Sequence, residues 1–126
     1  MIPTRKQYQF HIKRPPSVNH LYGRNGWRTY IKPQGEAWFT ENLYLLKIRY
    51  GGIQEPIKYA QVTLHYKTIR GDIDNVLKGT LDLLTKSGMI LDDQYIMKLI
   101  ITKEIVHHKP DEGLDIIVEE IYENTL

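Results

Sequence analysis

The 126-residue chain has no cysteine. That excludes disulfides, thiolate zinc sites, cysteine-ligated iron–sulfur clusters and a cysteine nucleophile, and it fits a reducing compartment. No apolar run approaches the roughly 20 residues of a membrane-spanning helix, and the N-terminus lacks the apolar core of a signal peptide. A soluble, intracellular (cytoplasmic) protein with no membrane partner is therefore expected. Internal repeats, low-complexity tracts and linkers are also missing, so 1–126 reads as a single domain. A chain of this size buries about two-thirds of its unfolded surface without a structural metal. Acids are absent from residues 1–35, which carry seven Lys/Arg (Arg5, Lys6, Lys13, Arg14, Arg24, Arg28, Lys32). Residues 104–126 reverse this, with seven acids and one lysine, so the net charge of +2 hides a gradient. A basic N-terminal third suits a phosphate-binding face.

What is present reads as alternating elements. Tyr8, Phe10 and Ile12 alternate with polar residues, giving a strand over 7–13 that Pro15-Pro16 ends. Residues 15–34, rich in Pro, Gly, Arg and aromatics, read as a long loop, which in a compact domain is usually either functional or disordered. A helix is expected over 35–49 with Ala37, Trp38, Leu45, Leu46 and Ile48 as its apolar residues, stopped by Gly51-Gly52. Ala60, Val62, Leu64 and Tyr66 place a strand at 58–67. Leu77, Leu81 and Leu84 lie at helical spacing in 74–87, with Asp72 or Asp74 available as cap and Gly88 at the left-handed stop. Two β-prone runs, 94–107 and 114–122, flank an expected hairpin turn at Asp111-Glu112-Gly113. The order β-α-β-α-β-β predicts an α+β fold: a small mixed β-sheet with two main helices packed on it.

The chemistry concentrates in one stretch. Asp72, Asp74, Asp82, Asp92 and Asp93 place five carboxylates within 22 residues. Carboxylates crowded this way repel unless a hard cation such as Mg²⁺ sits among them, and such an ion leaves positions open for water and phosphate. Asp74, Lys78 and Asp82 share a helix face at i, i+4, i+8. An ordinary reading is available: two N-caps and a surface ion-pair ladder. Against it, capping needs one carboxylate where Asp-x-Asp supplies two, Asn75 adds an oxygen, and Asp92-Asp93 follows where the chain returns. The helix rises about 20 Å, and six extended residues cover about 17 Å, so the return reaches the helix in one subunit. Alternation along the chain turns Asp92 and Asp93 opposite ways, and spacing favours Asp93 only weakly. Two or three carboxylates would bind one or two ions. Lys78 would neutralise charge on phosphorus or hold the attacking water.

The pattern Asp72-Ile-Asp74-Asn75-x-x-Lys78-x-x-x-Asp82-x-Leu84-Thr85-Lys86-x-Gly88-x-x-x-Asp92-Asp93, together with Pro15-Pro16-Ser17-x-Asn19-x-x-Tyr22, closely resembles the RusA family of Holliday junction resolvases. The resemblance spans most of the chain. It implies a homodimeric crossover junction endodeoxyribonuclease, acting in DNA recombination and repair, that requires Mg²⁺ or Mn²⁺. Such an enzyme cuts two strands symmetrically about a four-way branch and leaves 5′-phosphate ends. By position it implies Asp72, Asp74 and Asp93 as catalytic metal ligands and Lys78 as the functional lysine. Family members often carry an arginine run directly before the first aspartate; here Gly71 intervenes after Arg70.

In the basic loop, Asn19, Arg24, Arg28 and Lys32 are candidates for phosphate contact, with Tyr22 or Trp27 stacking on unpaired bases. Lys67, Arg70 and Lys86 flank the acidic stretch as candidate DNA contacts, and Asn75 joins them. His107-His108 does not read as a ligand pair, because neighbouring strand residues face opposite ways. The alternatives are a metal-dependent nuclease for other branched DNA or RNA, and a non-catalytic DNA-binding module.

Overall fold

The computed structural model describes residues 6–53 and 55–121. Arg5, Tyr122 and Glu123, counted in the sequence reading, lie outside these. The fold is α+β, with a mixed four-stranded sheet carrying helices on one face. Strand β1 (Gln7–Ile12) is followed by a short helix α1 (Val18–Leu21) and by a small hairpin of β2 (Tyr22–Asn25) and β3 (Arg28–Ile31). Helix α2 (Pro33–Tyr50), strand β4 (Ala60–Thr68), helix α3 (Leu77–Ser87), strand β5 (Ile96–Ile105) and strand β6 (Gly113–Glu120) complete it. The sheet order is β1-β6-β4-β5. β4 pairs antiparallel with β6 and parallel with β5.

β4 is the centre. Its period-two pattern buries Ala60, Val62, Leu64 and Tyr66 completely, where they meet Leu114, Ile116 and Val118 of β6 and Leu83 and Leu84 of α3. The opposite sheet face carries polar rows. His11 Nδ1 lies 2.6 Å from Asp115 Oδ1, Lys67 Nζ 3.5 Å from Asp115 Oδ2, and His65 Nε2 2.9 Å from Glu104 Oε1. β5 is an edge strand exposing Met97, Leu99, Ile100 and Ile105.

Four expectations are corrected. The stretch 15–34 is not a plain loop: it holds α1 and the β2–β3 hairpin, whose four-residue strands with largely exposed side chains are too short to show an alternation. α2 begins at Pro33, since proline fits a first helical turn. It turns Gly35, Trp38, Phe39, Asn42 and Leu46 inward, while Ala37, Leu45 and Ile48 face out. Apolar residues lie on both sides of this helix, so periodicity alone could not pick the buried side. The segment at 74–87 opens with a 3₁₀ turn, Ile73–Val76, before α3 proper, and Asp93–Tyr95 forms another before β5. Finally, β5 and β6 are not a hairpin. β4 lies between them, so the chain at 109–113 crosses an intervening strand.

Candidate active site

The site begins where β4 ends. Thr68 closes the strand, and its hydroxyl lies 2.7 Å from the Arg70 carbonyl and 3.1 Å from Glu112 Oε2. The same Glu112 oxygen accepts from the Ile69 amide (3.0 Å) and from Arg14 Nη1 (3.0 Å). The Ile69 amide, ahead of the Thr68 hydroxyl and Arg14, holds the Glu112 carboxyl below its ordinary value although its partial burial works the other way. Lys103 of β5 donates to the Gly71 carbonyl at 3.0 Å. Gly71 has φ +143, and a Cβ there would stand 2.9 Å from both Tyr66 Oη and Arg14 Nη2, so this bend requires glycine. The braced bend delivers Asp72. Thr68 and Lys103 escaped the sequence reading, and Arg14 entered it only as one of the basic residues of the N-terminal third. Glu112 was taken for a turn residue, and nothing in its local sequence marked it as a brace.

The expected capping role is absent. Asp72 precedes the 3₁₀ turn but makes no side-chain cap bond, and α3 begins after Val76 with none either. The capping carboxylate is Asp92, which accepts from the Gln94 amide at 3.2 Å. Asp72 and Asp74 are therefore not consumed as caps, and the reading of Asp-x-Asp as redundant capping loses its bond.

Asp74, Leu77, Lys78, Leu81, Asp82 and Asp93 line one cleft of about 340 Å³. A neighbouring cleft of about 310 Å³ is lined by Tyr22, Ile31, Asp82, Thr85, Lys86, Asp92 and Asp93. The segment after α3 brings Asp93 into the same cleft as Asp74 and Lys78, where the helix charge that acts on it is that of Asp82. Asp93 and Asp92 respond to each other in opposite directions. A hydrogen bond with Asp92, then burial and the charges of Asp92 and Asp82, pushes the Asp93 carboxyl up; the same bond, then the Gln94 amide, lowers Asp92. Negative charge here is under-compensated, which fits a hard cation, and the donors are oxygens only, as Mg²⁺ takes.

Asp72 does not join these residues in either cleft, and among the described residues no three Asp, Glu or His side chains stand close enough to hold an ion. The topology explains it. Because β4 and β5 are parallel, the crossover must return to the starting end of β4: Asp72 leaves beyond Thr68, which pairs with Ile105, and Asp93 precedes Ile96, which pairs with Ala60. α3 bridges the two ends, so the cleft gathers Asp74, Lys78, Asp82 and Asp93 and leaves Asp72 at the bend.

Of the candidate DNA contacts, Lys86 lines the second cleft, its ammonium 5.2 Å from the Phe39 ring centroid. Arg24 and Arg28 are exposed on the hairpin, and Asn19 is exposed on α1, its carbonyl accepting from Lys32 Nζ at 2.7 Å. Arg70 is exposed on the bend and Asn75 half-buried just past it. Lys67 is not brought to the site: β4 alternation turns it to the far sheet face, against Asp115. Tyr22 and Trp27 separate clearly. Burial first, then the bond to Asp82 and its charge, pushes the Tyr22 hydroxyl well above its ordinary value; it donates to Asp82 Oδ2 and lies under Lys78. Trp27 stands 89% exposed at the hairpin tip beside Gly26 (φ 65).

A carboxylate cleft holding a lysine, with a basic hairpin next to it, is the equipment of a nuclease. A family model described as Endodeoxyribonuclease RusA matches residues 13–119. Proteins named crossover junction endodeoxyribonuclease RusA are similar over 99 residues, 76% of this chain and 82% of theirs: 30% identity for Escherichia coli O139:H28 (strain E24377A / ETEC) and 31% for Enterobacteria phage 82. The K12 strain of Escherichia coli has one at 30% identity. The chain belongs to the RusA family of endodeoxyribonucleases.

Proposed function

We propose that this protein is a Mg²⁺-dependent, structure-selective DNA endonuclease that resolves four-way junctions by paired symmetric nicks. The observation that carries the reading is the shared cleft of Asp74, Lys78 and Asp93, with Asp72 and Asp74 free of capping duty. The names of the relatives support the junction as substrate. Asp74 and Asp93 would hold the cation from the cleft, and Asp72, set apart at the bend in this structure, would have to swing toward them to serve as the third carboxylate. When bound, the ion supplies Lewis-acid polarisation of the phosphodiester and a more acidic water; Mn²⁺ substitutes for Mg²⁺. Lys78 donates to a phosphate oxygen as charge builds there, and products carry 5′-phosphate and 3′-hydroxyl ends.

The exposed arginines Arg24 and Arg28, with Asn19, Arg70, Asn75 and Lys86, follow the backbone, and Trp27 stacks on an unpaired base at the branch. A four-way junction has a two-fold axis, so a homodimer of single-domain protomers matches it.

The experiment is incubation of the purified protein with a synthetic mobile four-way junction, a three-way junction and a linear duplex, with Mg²⁺ and with chelator. Paired nicks in the four-way substrate alone, abolished by chelator, are expected. Asp74→Asn is expected to bind the junction normally, to melt as wild type, and to cut at least about 100-fold more slowly. Wild-type cutting by that variant refutes the assignment.

A further inference from the structure

We infer that Tyr22 and Asp82 form a positioning pair that holds the Lys78 ammonium at the cleft; this rests on the reading of Lys78 as a catalytic residue. An unrestrained lysine on a helix surface samples many rotamers, and a reaction that uses its charge loses rate for every misplaced conformer. Lys78 is 54% exposed, yet it is held on two sides. Its Nζ lies 3.5 Å from Asp82 Oδ2, one helical turn on, and 4.9 Å from the centroid of the Tyr22 ring.

The ion pair alone would be a weak clamp. Exposed pairs contribute little, and a lysine preceding its acid by four residues is the poorer helix orientation. What distinguishes this pair is the third member. The Tyr22 hydroxyl donates to the same Asp82 oxygen that faces Lys78, from a strand 60 residues away in sequence. Asp82 is 28% exposed, so its carboxylate is fixed by tertiary structure and not by the helix alone. The ring then offers its face to the cation, and Phe39 packs against Tyr22 at 6.4 Å between centroids.

Two consequences follow. An oxygen already shared by a phenol and an ammonium is a poor further ligand for a metal, so Asp82 serves Lys78 while Asp74 and Asp93 remain for the cation. Tyr22 is also withdrawn from base stacking, leaving that work to Trp27 at the other end of the same hairpin. The hairpin's root thus governs rate and its tip governs grip.

The test is single-turnover junction cleavage in Mg²⁺, with affinity measured separately in Ca²⁺, for Tyr22→Phe, Asp82→Asn, Lys78→Ala and the double variants. Tyr22→Phe keeps the ring and removes only the hydroxyl, so it tests positioning without reshaping the fold. It is expected to slow cleavage about 3- to 10-fold, the effect of one hydrogen bond, with affinity and melting temperature little changed. Asp82→Asn should slow it at least as much. In the Lys78→Ala background both changes should add nothing further. Equal slowing by Tyr22→Phe with and without Lys78, or wild-type rates for both single variants, overturns the inference. Wild-type cleavage by Lys78→Ala instead overturns the catalytic reading of the lysine itself, so the two failures are distinguishable.

Discussion

Replacing Glu112 by alanine should loosen the bend that carries Asp72, and the size of the effect can be worked from its contacts. One carboxylate oxygen serves the Ile69 amide, the Thr68 hydroxyl and Arg14. Thr68 retains the Arg70 carbonyl as a partner, so it loses little. Arg14, at 36% side-chain exposure, is re-solvated, and its ion pair counts at the surface value of about 0–1 kcal/mol. The amide bond to an 11%-exposed carboxylate is the main loss, about 1.5 kcal/mol for a charged acceptor. The total is about 2 kcal/mol, or roughly 8 °C in melting temperature for a chain of this size. The pH dependence follows from the lowered Glu112 carboxyl. A depressed carboxylate contributes stability that is present above its ordinary value near 4.5 and is lost as pH falls through its folded value. Thermal melts of wild type and Glu112→Ala should therefore differ by roughly 8 °C at pH 7, and the gap should narrow as the pH falls below the ordinary carboxyl value. A gap under about 2 °C at neutral pH, or one that persists unchanged in acid, refutes the brace.

Gly71→Ala should cost about 1–3 kcal/mol, since the left-handed backbone and the close Tyr66 and Arg14 atoms both reject a Cβ; a melt and a cleavage assay should fall together. Trp27→Ala should weaken junction binding by about 1–3 kcal/mol with an unchanged melting temperature, read by gel shift in Ca²⁺. If binding is untouched, the hairpin tip does not reach the bases.

The strong periodicities carried the fold reading. β4 alternates without exception, and its partner β6 and helix α3 follow from clear apolar spacing. The β2–β3 hairpin did not show, because four-residue strands with solvated side chains leave no burial pattern. Strand order was equally hidden: nothing local in 109–113 says that β6 skips past β4 to pair on its far side. At the site, residue types and spacing brought Asp74 and Lys78 forward as candidates, whereas the choice of Asp93 over Asp92 came from the family resemblance. Neither could reveal that parallel pairing of β4 with β5 separates Asp72 from Asp93. Partners joined only in three dimensions, such as Arg14 with Glu112 or Tyr22 with Asp82, carry no periodic signal at all.

The central strand has neighbours on both edges and its inward side chains sealed from water, whereas the hairpin is tied to the body chiefly at its base. On the proposed function, the molecule is thus stiff where bonds are to be broken and adaptable where shapes are to be gripped. On the same reading, variation in the finger can retune which branched substrates are embraced while the cleft beside the rigid central strand stays as it was.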